Sequence, residues 1–199
     1  MKLKLNDDKT EFLVISSPAN QQCKKNVFKV RDTVITPSMF CRNLGVIFDT
    51  TLTLKAHIAS ICRASYFHLR AIGAVRKNLT YEACAQLLHA FITSRIDYCN
   101  ALLIHLPKSS LKCLQKVQNT ASRILTRTQK CNHITPVLIH LHWLPEKLRC
   151  IFKCLLVVYK CLLIGQPAYL ADHFALYQPT RNLRSSDKWL LKPVKYKRV

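Results

Sequence analysis

"SSLKCLQKVQNTASRILTR", residues 109 to 127, decides how the chain is read. Leu111, Leu114, Val117, Ala121, Ile124 and Leu125 recur at steps of three and four or beside one another, which places them along one side of a helix. On the other side Lys112, Lys116, Arg123 and Arg127 follow at steps of four, seven and four, with Asn119 between them. A solvated helix face ordinarily mixes signs to gain ion pairs one turn apart. This face carries no acid, so the pattern predicts a helix packed through one side and presenting a positive stripe on the other, which Arg149 and Lys153 extend from the next helix.

The same period runs on both sides of this stretch. Thr53 is placed to cap a helix in which Ile58, Ile61, Leu69 and Ile72 recur, running to about Lys77. Thr80 suits the cap of the next, with Glu82 in its first turn and Leu87, Phe91 and Tyr98 further along. Ser109 or Ser110 suits the cap of the third. Pro136 and Pro145 punctuate a link, Pro145 suits the first turn of a fourth helix over about 146 to 164, and Gly165 ends it. Ahead of Thr53 the pattern differs. "EFLVIS" (11–16), "NVFKVRDTVIT" (26–36) and "NLGVIFD" (43–49) are rich in strand formers, the second reading as a hairpin about Arg31 and Asp32. The expected fold class is therefore α+β, mainly α: a strand-rich segment over 1–52, a helical bundle over 53–166 and a basic, loose tail over 167–199. A sheet this small needs something packed on it.

Charge narrows the partner. Thirty-one Lys and Arg stand against 10 Asp and Glu, a formal net of +21, and residues 50 to 199 carry 23 basic and 5 acidic side chains. An excess of that size points to a polyanion, of which nucleic acid is the commonest. With three glycines, few positive-φ turns are expected. The ten cysteines form no Cys-x-x-Cys and sit among apolar residues, which suggests reduced core thiols of an intracellular protein, nuclear or cytoplasmic. The start has no apolar run of the signal-peptide kind, and "IFKCLLVVYKCLLI" (151–164) is interrupted by Lys153 and Lys160 and is shorter than a membrane span. Neither secretion nor a membrane partner is expected.

Enzymatic chemistry finds little to use. Cys131, His133, His140 and His142 match no common zinc-ligand spacing. No Gly-x-Ser-x-Gly elbow or phosphate-binding glycine loop occurs. Asp7 and Asp8 resemble the paired carboxylates of a two-metal polymerase, but Leu5 rather than an aromatic residue stands two before Asp7, and nothing upstream supplies a third carboxylate.

The neighbourhood of that pair is more informative. "LNDDKTEFLVI" (5–15) strongly resembles the segment that follows the catalytic aspartates in reverse transcriptases of LINE-type, non-LTR retrotransposons. "NLGVIFDTTLTLKAHI" (43–58) looks like the primer grip and the start of the thumb. "IDYCNALLIHLP", "LQKVQNTASRIL", "HITPVLIHLHWLP" and "YQPTRNLRSS" are similar to the thumb and post-polymerase region of jockey-like and related vertebrate elements. The resemblance covers nearly the whole chain in the family's order. It implies that Lys9 lies near the incoming nucleotide's phosphates in the intact parent, and that Leu44, Gly45 and Asp49 fall in the segment holding the primer end. It implies further that the basic helices grip RNA template and DNA primer through phosphates. Magnesium would serve the parent polymerase, whose fingers and remaining palm lie outside this sequence, and no cofactor is expected for this chain. A stand-alone basic helical module acting on nucleic acid or ribonucleoprotein is the alternative, and a metal-dependent enzyme built on Asp7, Asp8 and Glu11 a third. Purified chain is expected to add no nucleotide to a primed RNA template with magnesium or manganese, which a primer-extension assay checks.

Overall fold

Residues 10–16, 28–30, 33–177, 181 and 190–192 are described in a computed structural model of the chain. The architecture is α+β and mainly helical, as expected, and the chain divides into two compact units, Met1–Cys150 and Ile151–Val199.

In the first unit, β1 (Phe28–Val30) pairs antiparallel with β2 (Thr33–Ile35), and β3 (Phe40–Asn43) with β4 (Val46–Asp49). The hairpin expected across 26–36 is present, with Phe28 opposite Ile35 and Val30 opposite Thr33, while Arg31 and Asp32 lie outside the described residues. "EFLVIS" is not a strand. It makes one parallel bridge, Phe12 to Pro37, and the Ser38 amide donates to the Phe12 carbonyl at 2.8 Å. Strand formers need a ladder and a half-buried face to act on, and Ile15 is left 55% exposed.

Asp49, at the end of β4, organises the step into the helices. Its Oδ1 accepts from the Thr51 amide (3.1 Å), the Thr51 hydroxyl (2.9 Å) and the Thr53 amide (2.9 Å). Its Oδ2 accepts from the Thr53 hydroxyl (3.0 Å) and the Leu54 amide (2.7 Å). Burial pushes this carboxyl's pKa up, but the Thr53 and Thr51 donors outweigh it and hold the pKa below the usual carboxylate value. Thr53 is therefore not the cap. Leu54 occupies the N-cap position in a left-handed conformation without a side-chain cap, and Asp49 supplies the acceptor from outside the helix.

The helix α1 (Lys55–Val75) buries Ile58, Ile61, Leu69 and Ile72, as their spacing requires, together with His57 and Ser65. A 3₁₀ turn (Arg76–Asn78) leads to α2 (Tyr81–Leu88), whose cap is Thr80, accepting from the Ala83 amide at 3.2 Å. α2 continues through a π-helical turn, His89–Thr93, into α3 (Ser94–Asp97). The buried side of this run is Cys84, Leu88, Ile92 and Ile96, whereas Phe91 is 39% and Tyr98 50% exposed, and Leu87 is half-buried. The wider π turn keeps residues four apart on one side, where a regular helix would drift away from it.

After a 3₁₀ turn (Asn100–Leu103), α4 (Lys108–Thr126) begins behind Pro107, so Ser109 and Ser110 fall in its first turn and not at its cap. It buries Leu111, Leu114, Val117, Ala121 and Leu125 against α1 and α2, with Ile124 at the edge. The expected link contains a helix, α5 (Thr135–His140), which tolerates Pro136 because the first turn needs no amide donor there. α6 (Glu146–Ile164) starts directly after Pro145, whose carbonyl accepts from the Arg149 amide at 3.0 Å, and ends at Gly165, with φ +68°. In the second unit the basic tail begins with a short helix, α7 (Ala168–Ala171), and a bridge between Leu176 and Leu191. Among the described residues no helix is long and apolar enough to cross a membrane.

Scarce glycine does not mean scarce left-handed backbone. Leu44, Leu52, Leu54, Cys99, Arg127 and His142 all take positive φ. Turn geometry is imposed there by packing and costs each residue roughly 1 kcal/mol or more. The thiols also divide: Cys84, Cys150 and Cys161 are buried as expected, whereas Cys99, Cys113 and Cys131 are exposed.

Asp49→Ala strands the Thr53 and Leu54 amides and is expected to lower stability by about 2–4 kcal/mol, read by thermal unfolding followed by circular dichroism. Because the folded pKa of Asp49 is depressed, its contribution is complete above the ordinary carboxylate pKa and is lost as pH falls through the depressed value. Leu44, 82% exposed at φ +45° before Gly45 at φ +84°, suits Asn better: Leu44→Asn is expected to stabilise by about 1 kcal/mol in the same assay.

Candidate nucleic-acid interface

The stripe on α4 divides into two parts. Lys112 and Lys116 are exposed along the helix, with Asn119 half-buried and accepting from the Gln115 amide group at 2.8 Å. Arg123 and Arg127 gather at the C-terminal end. Arg123 Nη2 donates to the Asn132 carbonyl at 2.8 Å and its Nη1 to the Gln129 carbonyl. Arg127, the left-handed C-cap at φ +57°, donates from Nη2 to the Arg76 carbonyl at 3.3 Å. Arg76 joins them from the end of α1: its Nε donates to the Ile124 carbonyl at 2.9 Å and its Nη2 to the Leu125 carbonyl at 2.8 Å. The unsatisfied carbonyls and negative dipole end of a helix attract cations, which explains the gathering. Carbonyls hold a guanidinium in place while offsetting only part of its charge. Burial raises the pKa of the Cys84 thiol beneath, and Arg76 and Arg127 together oppose that rise.

Arg149 does not extend the stripe. Its Nε donates to Asp97 Oδ1 at 2.9 Å and its Nη2 to Oδ2, a two-pronged ion pair. Burial works against the Arg149 charge, and Asp97 with Glu146 more than offsets it, so the pKa is raised. Lys153 is exposed on α6 in the second unit.

Leu44 and Gly45 form the tip of the β3–β4 hairpin, where the Tyr98 hydroxyl donates to the Leu44 carbonyl at 2.6 Å. A Cβ on Gly45 would meet Tyr98 Cε1 at 3.6 Å, an ordinary contact, so within the chain glycine here answers the positive φ. Asp49 is buried with both oxygens engaged inside the chain. Lys9, with Asp7 and Asp8, lies outside the described residues. Cys131, His133, His140 and His142 are exposed, and among the described residues no group of three or more His, Cys, Asp or Glu is arranged to hold a metal.

Glu146 was not foreseen as special. It is 2% exposed, its Oε2 is buried with no hydrogen-bond partner, and it borders a cavity of about 10 Å³ beside Thr93, Gln118 and Trp143. Burial pushes its pKa up to about 7, opposed by Arg149 and reinforced by Asp97. Two glutamines of α4 hold the chain that leads into it: Gln115 Oε1 accepts from the Glu146 amide at 2.9 Å, and Gln118 Nε2 donates to the Leu144 carbonyl at 2.8 Å. In the sequence this residue looks like any acid in a helix's first turn.

Because the folded pKa of Glu146 lies above its ordinary value of 4.5, its favourable contribution is complete below that pH and is lost as pH rises to about 7. Glu146→Gln is therefore expected to flatten the pH dependence of stability across that window and to stabilise the protein at pH 8 by about 1–3 kcal/mol, measured by denaturant unfolding at several pH values. Compared with models of known protein families, with curated proteins and with solved structures, the chain shows no match.

Proposed function

We propose that the chain is the C-terminal part of a LINE-type, non-LTR retrotransposon reverse transcriptase, and that it holds template and primer through their phosphates within an intracellular ribonucleoprotein. The observation that carries the binding is the α4 face: Lys112, Lys116 and Arg123 on one side of the helix and Arg127 at its C-cap, the arginines steadied by carbonyls and not by carboxylates. The family reading rests on the ordered motifs from residue 5 to residue 186 and on the net charge of +21. Contacts of this kind fix a duplex or strand in place and carry little sequence information.

Asp49 and Glu146 are buried and Asp97 is paired with Arg149, so among the described residues the hydrogen-bond partners of the α4 arginines are carbonyls, and this equally suits a basic module with one defined partner. The two readings part on specificity. Replacing Lys112 and Lys116 together by Ala is expected to weaken binding uniformly across RNA and DNA sequences and to make the slope of log affinity against log salt shallower by roughly 1 to 2. Fluorescence anisotropy over a salt series checks this. Loss confined to one sequence or one partner would favour the defined-partner module, and an unchanged slope would remove the phosphate-grip reading.

A further inference from the structure

A cleft of about 560 Å³ opens between the C-terminal ends of α1 and α4. Arg76, Arg123, Arg127 and Lys130 line it with two hydroxyl residues, Thr120 and Thr128, and no acid. Three of the four cations are bonded to main-chain carbonyls, Arg127 by a single contact. Arg76 is held by the Ile124, Leu79 and Leu125 carbonyls, Arg123 by those of Gln129 and Asn132, and Arg127 by that of Arg76. Helix-end carbonyls offset only part of the charge of these groups, leaving the cluster net positive, and remove much of the side-chain entropy that binding would otherwise cost. Arg127 also sits at a left-handed C-cap where Gly or Asn is cheaper, so the fold tolerates strain to keep a cation there. The remaining wall is apolar, formed by Ile124 beside Gly73.

A long phosphate backbone needs a stripe, whereas a concave cluster of fixed guanidinium groups suits a compact anion of higher charge. A phosphomonoester is such an anion, and arginine forks match its oxygens. The cleft volume falls in the range of small-molecule sites and exceeds what a phosphate alone would fill, leaving the Ile124 and Gly73 wall for a sugar or base.

From this geometry we infer that the cleft between α1 and α4 binds the phosphomonoester of a nucleotide, presented either by the 5′ end of a nucleic acid strand or by a free nucleoside monophosphate. The strand source rests on the nucleic-acid reading of α4, and the free-nucleotide source does not.

The test uses the whole chain and two labelled single-stranded DNA oligonucleotides of one sequence, one with a 5′-phosphate and one with a 5′-hydroxyl. Adenosine 5′-monophosphate and adenosine serve as competitors, and direct titration of each nucleotide is followed by calorimetry. The phosphorylated strand is expected to bind about tenfold tighter, and the monophosphate but not adenosine to compete away the difference. Lys130→Ala, at an exposed residue off the α4 stripe, is expected to abolish the preference with an unchanged circular dichroism spectrum. Equal, tight binding of both strands with no titration by the monophosphate would overturn the cleft and leave the α4 reading standing. Binding of the monophosphate that depends on Lys130, with neither strand bound, would support the cleft and overturn the α4 reading. A preference that Lys130→Ala leaves intact, or no binding of any probe, would overturn the cleft assignment.

Discussion

The carboxylate of Asp49 joins the strand-rich start of the chain to its helices, and the rest of the first unit depends on that junction. Leu52 and Leu54 both take left-handed backbone conformations here, and the unsatisfied amides that begin a helix need acceptors. One buried side chain meets several of these needs at once, setting where α1 begins and therefore which of its sides faces the core. α1 then packs on α4, leaving Lys112 and Lys116 exposed along α4 and bringing Arg76 to Arg123 and Arg127 where the two helices end. An acid buried near the start of the fold thus governs where the basic surface points.

Acids are few, and several of those described are engaged within the chain. Asp97 pairs with Arg149, Glu146 is enclosed at the start of α6, and Glu11 accepts from the Arg42 amide. The consequence at the surface is electrostatic. Cations that would ordinarily find a partner one helical turn away find main-chain carbonyls or water, and the positive field outside α4 is not cancelled locally. Buried carboxylates are costly to hold, and Glu146 meets that cost by a raised pKa in place of a partner.

The buried sides of α1 and α4 were legible because each is long and has a polar opposite side against which its apolar period stands out. The end of α6 was legible because Gly165 supplies the left-handed residue that a helix terminus favours. The run from Tyr81 to Asp97 was read through the wrong residues because apolar side chains surround it and a π turn breaks the period. α5 is too short to show a period at all. Thr53 was read as a cap because capping rules look at adjacent residues, while the acceptor comes from Asp49. The basic stripe was visible from spacing alone. That Arg149 does not belong to it was not visible, because its partner stands 52 residues earlier and nothing local announces the pairing. The gathering of Arg76 with Arg123 and Arg127 was hidden for the same reason: it joins the ends of two helices distant in sequence.

The π turn at His89–Thr93 makes length, and not only composition, a constraint on this segment. Such a turn holds one residue more than a regular one. Taking one residue out there would leave regular helix with Cys84, Leu88, Ile92 and Ile96 still on one side, whereas regular helix over the same number of residues would rotate everything after it by about 100°. Asp97 would swing away from Arg149, and Tyr98 from the hairpin tip that it ties down. The π turn thus already absorbs one surplus residue, and a further residue inserted at the same few positions would disconnect two distant contacts at once.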